Sequence, residues 1–208
     1  DIDPNEIKAF VDRLELQSRG KPIEIRDYQF DAVCEGLHRK RAVLISPTGS
    51  GKSLIIYTLV QRYLLSLRKA NRKVLVIVPT TSLVEQMYND FADYGMPVED
   101  CVHRIYSGRD KETDKEIIIS TWQSIYKLPP KWFEQFGAVI GDECHGFKSK
   151  SLTTIMDKCK EAEYRWGTTG TLDGSQTHEL VLQGLFGKIY NVTTTKKLQD
   201  EDTLAKLK

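Results

Sequence analysis

Hydrophobic and polar positions along the chain form two alternating patterns. The first is a set of short, nearly unbroken apolar runs: Ala42-Val43-Leu44-Ile45, Val74-Leu75-Val76-Ile77-Val78, Ile117-Ile118-Ile119 and Ala138-Val139-Ile140-Gly141. A run of this kind predicts a strand buried on both faces, as in a parallel sheet. Shorter strands are predicted at 102–106 and 188–192. The second pattern is helical spacing, which groups Ile7, Phe10, Val11 and Leu14, then Phe30, Val33, Cys34 and Leu37. The same spacing joins Leu54, Ile55, Leu59, Tyr63 and Leu67, and later Leu83, Val84, Met87, Tyr88 and Phe91. Weaker helices are predicted at 152–159 and 178–185, and a helix start at 120–123. Strands alternating with helices imply an α/β fold, an open and mostly parallel sheet covered on both faces.

Local signals mark the boundaries. Asp3, Pro4 and Glu6 read as an N-cap, a first helical residue and the far end of a capping box; Ser82 and Glu85 read as a second box. Residues 18–22 read as a linker and 107–115 as a loop, and Pro129-Pro130 breaks the chain. Residues 193–208 are polar and charged with no core pattern. The organisation expected is an N-terminal helix and linker over 1–22, a main domain over 23–192, and a charged connector over 193–208.

Composition narrows the class. The chain has 208 residues, 40% of them hydrophobic, enough for one domain with a real core. Lys+Arg number 30 and Asp+Glu 29, so no bulk positive field announces nucleic acid and any such contact must be local. Four cysteines in no zinc-like spacing read as reduced thiols of a cytosolic protein. No apolar run reaches membrane-spanning length, and no signal peptide is visible. The chain begins at Asp1 rather than Met, which reads as a piece of something longer.

The candidate chemistry starts after the first apolar run. Ser46-Pro47-Thr48-Gly49-Ser50-Gly51-Lys52-Ser53 follows a strand and opens a helix, the context a phosphate-binding loop needs, although Ser46 stands where the usual first Gly would be. Its glycines let backbone N–H groups converge on phosphate oxygens, and the helix adds its positive end. Lys52 reaches the β- and γ-phosphates, and the Ser53 hydroxyl is a Mg²⁺ ligand. Asp142 and Glu143 end another buried strand, where open α/β sheets bind ligands. Asp142 is placed to hold Mg²⁺, partly through water, and Glu143 to polarise the attacking water. Upstream, the Gln29 amide offers a donor and an acceptor that match one edge of adenine. Cys144 and His145 lack further ligands at metal spacing.

Together these pieces resemble the motor core of superfamily 2 helicases of the DExH type, whose first lobe is a RecA-like P-loop NTPase domain. The resemblance places 46–53 at motif I, Asp142-Glu143-Cys144-His145 at motif II and Thr169-Gly170-Thr171 at motif III. It puts Arg26, Tyr28 and Gln29 in the adenine-recognition segment. Over 26–197, strings such as VPTTSLVEQMYNDFADY, STWQS and KWFEQFG are similar to the UvsW-type DNA helicases of T-even phages. That family implies an ATP- and Mg²⁺-dependent motor that remodels branched DNA by fork regression and D- and R-loop unwinding, with RNA as a partner in hybrids, in recombination and repair. His145 and the Thr169 and Thr171 hydroxyls would couple nucleotide state to DNA and to a second RecA-like lobe, which carries the arginine finger and is absent from this chain. Nucleic acid would meet Thr80 and Thr81, then Ser107, Gly108 and Arg109, then Thr121, Trp122 and Gln123; Trp122 would stack on a base or join the core. A monomer in the bacterial host cytoplasm, with no membrane partner, is expected. A double-strand DNA translocase of a restriction-type enzyme and a nucleotide-binding regulatory module remain open, while a P-loop kinase is disfavoured by the Asp-Glu pair and the TGT motif.

Overall fold

The computed structural model describes residues 2–172, 178–193 and 195–207. In chain order the first elements are helix α1 (Pro4–Arg13), a small hairpin of β1 (Gln17–Ser18) and β2 (Lys21–Pro22), helix α2 (Asp27–Arg39), strand β3 (Arg41–Ile45) and helix α3 (Lys52–Arg62), which ends in a π-turn. Then come β4 (Lys73–Val78), α4 (Thr81–Asp93), α5 (Val98–Cys101), β5 (Val102–Ile105), β6 (Ile117–Thr121), α6 (Trp122–Ile125) and α7 (Pro130–Phe133). The last are β7 (Phe136–Asp142), α8 (Ser149–Lys158), β8 (Tyr164–Thr169), α9 (Glu179–Leu185), β9 (Ile189–Asn191) and α10 (Thr195–Leu207).

Seven of the described strands form one sheet in the order β5-β6-β4-β7-β8-β3-β9, and every pairing in it is parallel. The continuous apolar runs explain this arrangement. Val74, Val76 and Val78 face one core, with α1 to α4; Leu75 and Ile77 face the other, with α6 to α9. The inner strands β6, β4, β7, β8 and β3 are therefore buried on both sides, as a parallel sheet requires. The second core needs a close approach over the strands: a Cβ on Gly167 would lie 2.9 Å from the buried ring of Phe186, so only glycine lets that ring settle on β8.

Several boundaries differ from the local signals. Asp3 caps Asn5 N at 2.9 Å, but Glu6 turns away from the expected box to pair with the buried Arg62 at 2.6 Å, joining α1 to α3. Similarly, Thr80 rather than Ser82 caps α4, because Glu85 is held by Arg104 and Tyr106. The segment read as a linker is the β1–β2 hairpin, turned by Arg19 and Gly20 at positive φ. β8 escaped periodicity because Arg165 interrupts its apolar pattern; the guanidinium escapes the core by bonding the carbonyls of Met156, Cys159 and Ala162. The charged segment read as a connector contains α10, and Leu198 packs on the first core.

Candidate nucleotide and nucleic-acid site

Because the strands are parallel, their carboxyl ends form one edge. The phosphate loop follows β3, Asp142 closes β7 and Thr169 closes β8, and Ser46 N donates to the Thr169 carbonyl at 2.7 Å to join two of these ends. Gly49 and Gly51 both adopt positive φ, +87° and +75°. At Gly51 no other residue fits: an added Cβ would sit 2.2 Å from the Gln29 amide nitrogen.

That contact corrects the expectation for Gln29. Its amide nitrogen donates to the Ser50 and Gly51 carbonyls at 3.0 and 3.1 Å, while its oxygen accepts from Arg26 N at 2.8 Å. The residue is 3% exposed, so its amide braces the phosphate loop from behind instead of offering an edge to adenine. Beside it, Arg26 donates to the Tyr28 hydroxyl at 2.8 Å.

In front of the loop, Lys52 lies between the two motif carboxylates, 2.9 Å from Asp142 Oδ1 and in close contact with Glu143. Asp142 is buried, and its Oδ1 also accepts from the Thr168 hydroxyl at 2.7 Å and from Glu143 N at 3.0 Å. Charge-assisted bonds of this kind fix a carboxylate rigidly. Glu143 takes a left-handed backbone, φ +53°, which costs a non-glycine residue about 1–2 kcal/mol and turns its side chain off the strand into the cleft.

His145 joins this turn to β8. Thr169 gives its one hydroxyl proton to the Thr171 carbonyl at 3.0 Å, so its oxygen accepts from His145 Nδ1, which therefore carries the proton. Burial, with the Lys52 charge, holds His145 below the usual histidine range, so the ring is neutral at pH 7. His145 and Thr169 are thus in contact, Thr171 meets Thr169 through its backbone carbonyl, and Gly170 lines the cleft. Cys144 is buried, and burial pushes its thiol up to about 12.

The cleft holds about 290 Å³ and is lined by 46–49, 51–53, Leu83, Gln86, Met87, Asp90, Asp142, Glu143 and Gly170. Three carboxylates, Asp90, Asp142 and Glu143, face one ammonium, Lys52. That oxygen-rich, negative lining suits a hard cation. No group of three His, Cys, Asp or Glu among the described residues is arranged to hold a metal alone. Two lining or supporting residues escaped the sequence reading: Thr168, at Asp142, and Asp90. Asp90 shares the inward stripe of α4 with Leu83, Met87 and Tyr94, and a carboxylate on an apolar stripe was the available signal.

The other half of the edge, beyond β4, β5 and β6, carries the residues assigned to nucleic acid. Thr80, Thr81, Ser107, Gly108, Arg109 and Gln123 are exposed there. Thr80 caps Leu83 N at 3.3 Å, and Gln123 reaches the Pro79 carbonyl at 3.3 Å. Arg109 lies over the Tyr106 ring and donates to its hydroxyl at 2.9 Å; Tyr106 in turn donates to Glu85, which that bond and Arg104 hold below the usual carboxylate range. Two assignments need correction. Trp122 is 9% exposed and packs edge-on against Tyr126 in the second core, so it presents no face to a base. Thr121 is also buried, its hydroxyl paired with Ser124 at 2.8 Å.

A parallel sheet with a phosphate loop, a strand-end Asp-Glu pair and a hydroxyl relay on the next strand defines a RecA-like lobe of the helicase type. The chain belongs to the family described as "Type III restriction enzyme, res subunit", which it matches over residues 22–174. It is similar to the ATP-dependent DNA helicase uvsW of Enterobacteria phage T4, 35% identical over 212 residues that take in 100% of this chain and 42% of the phage protein. It is also similar to the DNA 3'-5' translocase XPB2 of Sulfurisphaera tokodaii, 29% identical over 174 residues, 82% of this chain and 36% of that protein. The chain therefore spans less than half the length of these curated relatives. Among solved structures, a crystal structure of the phage T4 UvsW helicase superposes with a TM-score of 0.82 at 35% identity, covering 92% of this chain and 68% of that one. The SWI2/SNF2 ATPase core of Sulfolobus solfataricus, at 17% identity and a TM-score of 0.61 over 82% of this chain and 36% of that one, shares the fold. No described helix is long and apolar enough to cross a membrane.

Proposed function

We propose that this chain is the first motor lobe of an ATP-driven DNA helicase that remodels branched DNA, acting in recombination and repair in the host cytoplasm. One observation carries the reading: Lys52, at the head of α3, meets both motif II carboxylates at the mouth of the phosphate loop. An incoming triphosphate takes Lys52 from those carboxylates. Glu143 is then free to accept a proton from water, its turned backbone already aiming it into the cleft. Bound Mg²⁺, held by Ser53 and, partly through water, by Asp142, would neutralise charge on the β- and γ-phosphates. The neutral His145 transmits the state of this turn to Thr169. Arg26 shares a cavity with Thr48 and Gly49 of the loop, where the adenine end of the nucleotide would lie, and the buried Tyr28 hydroxyl accepts a hydrogen bond from it. DNA phosphates would meet Thr80, Thr81, Ser107, Gly108, Arg109 and Gln123 at exposed hydroxyls, backbone N–H groups and one guanidinium, which hold a strand without reading its sequence.

Lys52 is the sole cation among the described residues that line the cleft. Full turnover therefore needs an arginine from a second lobe, a contribution of about 10³–10⁵ in rate in related phosphoryl transfer. A phosphate-release assay tests this. The 208-residue chain alone is expected to show almost no DNA-stimulated hydrolysis, and a protein that also carries a second lobe is expected to show it fully. Equal rates would make the site complete within one lobe and overturn the reading. A translocase that moves along duplex DNA without unwinding is the second reading, favoured by the name of the Sulfurisphaera relative.

A further inference from the structure

The turn beyond β5 carries Arg109 and is anchored from α4. Residues 106–109 close with Arg109 N donating to the Tyr106 carbonyl at 3.0 Å, and both central residues, Ser107 and Gly108, have positive φ, +41° and +79°. A non-glycine residue keeps such a backbone only where its surroundings fix it. Some bonds hold the main chain just beyond the turn: His103 Nε2 meets the Asp110 carbonyl at 2.7 Å, and Lys111 donates to the Arg109 carbonyl at 3.2 Å. The Arg109 side chain is held differently. Among the described residues Tyr106 alone grips it, with the ring 4.6 Å from the guanidinium and the hydroxyl as its acceptor. That hydroxyl is itself 2.5 Å from Glu85 Oε1, on α4, and the other Glu85 oxygen accepts from Arg104 at 2.7 Å. Arg104 in turn lies 3.7 Å from the centre of the Tyr88 ring, three residues further along the same helix.

We propose that Glu85 is a positioning residue: through the Tyr106 hydroxyl it holds the Arg109 guanidinium ready for a nucleic-acid phosphate. The chemistry of the three groups sets their order. A guanidinium has donors and no acceptor, a carboxylate has acceptors only, and a phenol has one proton. Arg109 can bond the phenol oxygen only while the phenol proton points elsewhere, and Glu85 takes that proton. Arg109 gives one N–H to Tyr106, and the rest of its donors remain for a phosphate at this exposed position. A free surface arginine samples many rotamers, and docking it on a phosphate loses that freedom. Here the ring and the hydroxyl restrict the side chain beforehand. Thr80 and Thr81 stand at the head of the helix that carries Glu85, so the same carboxylate ties the α4 contacts and the turn contacts into one surface. Both partners of Glu85 are donors. A carboxylate serves both, whereas an amide in its place accepts from one and opposes the other.

The proposal rests on the nucleic-acid reading above, and its test separates the two. The 208-residue chain is titrated with a fluorescein-labelled single-stranded oligonucleotide over a series of salt concentrations. Glu85→Gln is expected to bind about threefold more weakly and to lower the salt slope by up to about one, the pattern expected of a lost phosphate contact. The sign is the discriminating readout, since removing a negative charge that has no positioning role strengthens binding to DNA. Tyr106→Phe keeps the ring under Arg109 and the Glu85–Arg104 pair, removes the bridging hydroxyl, and is expected to bind about twofold more weakly. Glu85→Gln combined with Arg109→Ala is expected to lose no more than Arg109→Ala alone. Unchanged or tighter binding in Glu85→Gln, or effects that add fully with Arg109→Ala, overturns the proposal. Unchanged binding in Tyr106→Phe does the same even where Glu85→Gln fails to fold. A wild-type chain that binds no oligonucleotide at the lowest salt overturns the nucleic-acid reading, and this proposal with it.

Discussion

The two halves of the sheet's carboxyl edge are built differently. Beyond β3, β7 and β8, the polar side chains are buried or half-buried and bonded to one another: Lys52 to Asp142, Asp142 to Thr168, Gln29 to the phosphate loop, His145 to Thr169. Beyond β4, β5 and β6, the candidate contacts are exposed, and their bonds are local: a cap at Thr80, a stacked pair at Arg109 and Tyr106. The first half is suited to chemistry, because preorganised groups need not rearrange when charge develops. The second half is suited to a strand that must advance, because contacts that are individually weak release without a large barrier. Helix α4 spans both, capped by Thr80 on the open side and ending on the closed side at Tyr94, whose hydroxyl lies 2.6 Å from that of Ser53.

If the closed half is preorganised, small changes there have large effects. Glu143→Gln keeps the shape and removes the base. In a protein that hydrolyses ATP with DNA, phosphate release is expected to fall by about two orders of magnitude or more while nucleotide affinity is retained. Normal turnover with weak binding would reassign Glu143 to substrate positioning. The next largest effect is expected for Gly51→Ala, which strains the left-handed turn and drives a methyl into the Gln29 amide. A backbone cost of about 1–2 kcal/mol, with loss of the brace, corresponds to roughly a tenfold or greater loss of nucleotide affinity in a titration. A change under twofold would mean that the loop is not held by Gln29.

The open half is expected to answer weakly and evenly. Arg109→Ala is expected to reduce DNA affinity a few fold on every sequence tested and to lower the salt slope by about one. Nucleotide affinity is expected to stay the same. Loss of affinity on some sequences only would point to base readout and blur the distinction between the halves.

The same contrast explains what the sequence disclosed. The sheet was legible because burial on both faces writes unbroken apolar runs, and the phosphate loop and Asp142-Glu143 were legible because each follows such a run. Gln29 was visible as a residue but not in its role, since its partners are backbone carbonyls 21 and 22 positions away. For Trp122 both a stacking face and the core stood open, because periodicity over the four residues of α6 is too short to reveal which face is inward. Glu6 and Glu85 matched capping boxes, yet long-range partners claimed both. Asp90 and Thr168 belong to no motif; only the packing of α4 and β8 brings them to the site.

The central claim is that the loop of 46–53 binds the triphosphate and that Lys52 supplies the positive charge. Calorimetric titration of Mg·ATP into the wild-type chain and into Lys52→Ala measures this directly. The account predicts detectable binding by the wild type and none by the variant under the same conditions, since Lys52 is the sole cation among the described residues lining the cleft. Equal affinity in the two proteins would contradict it.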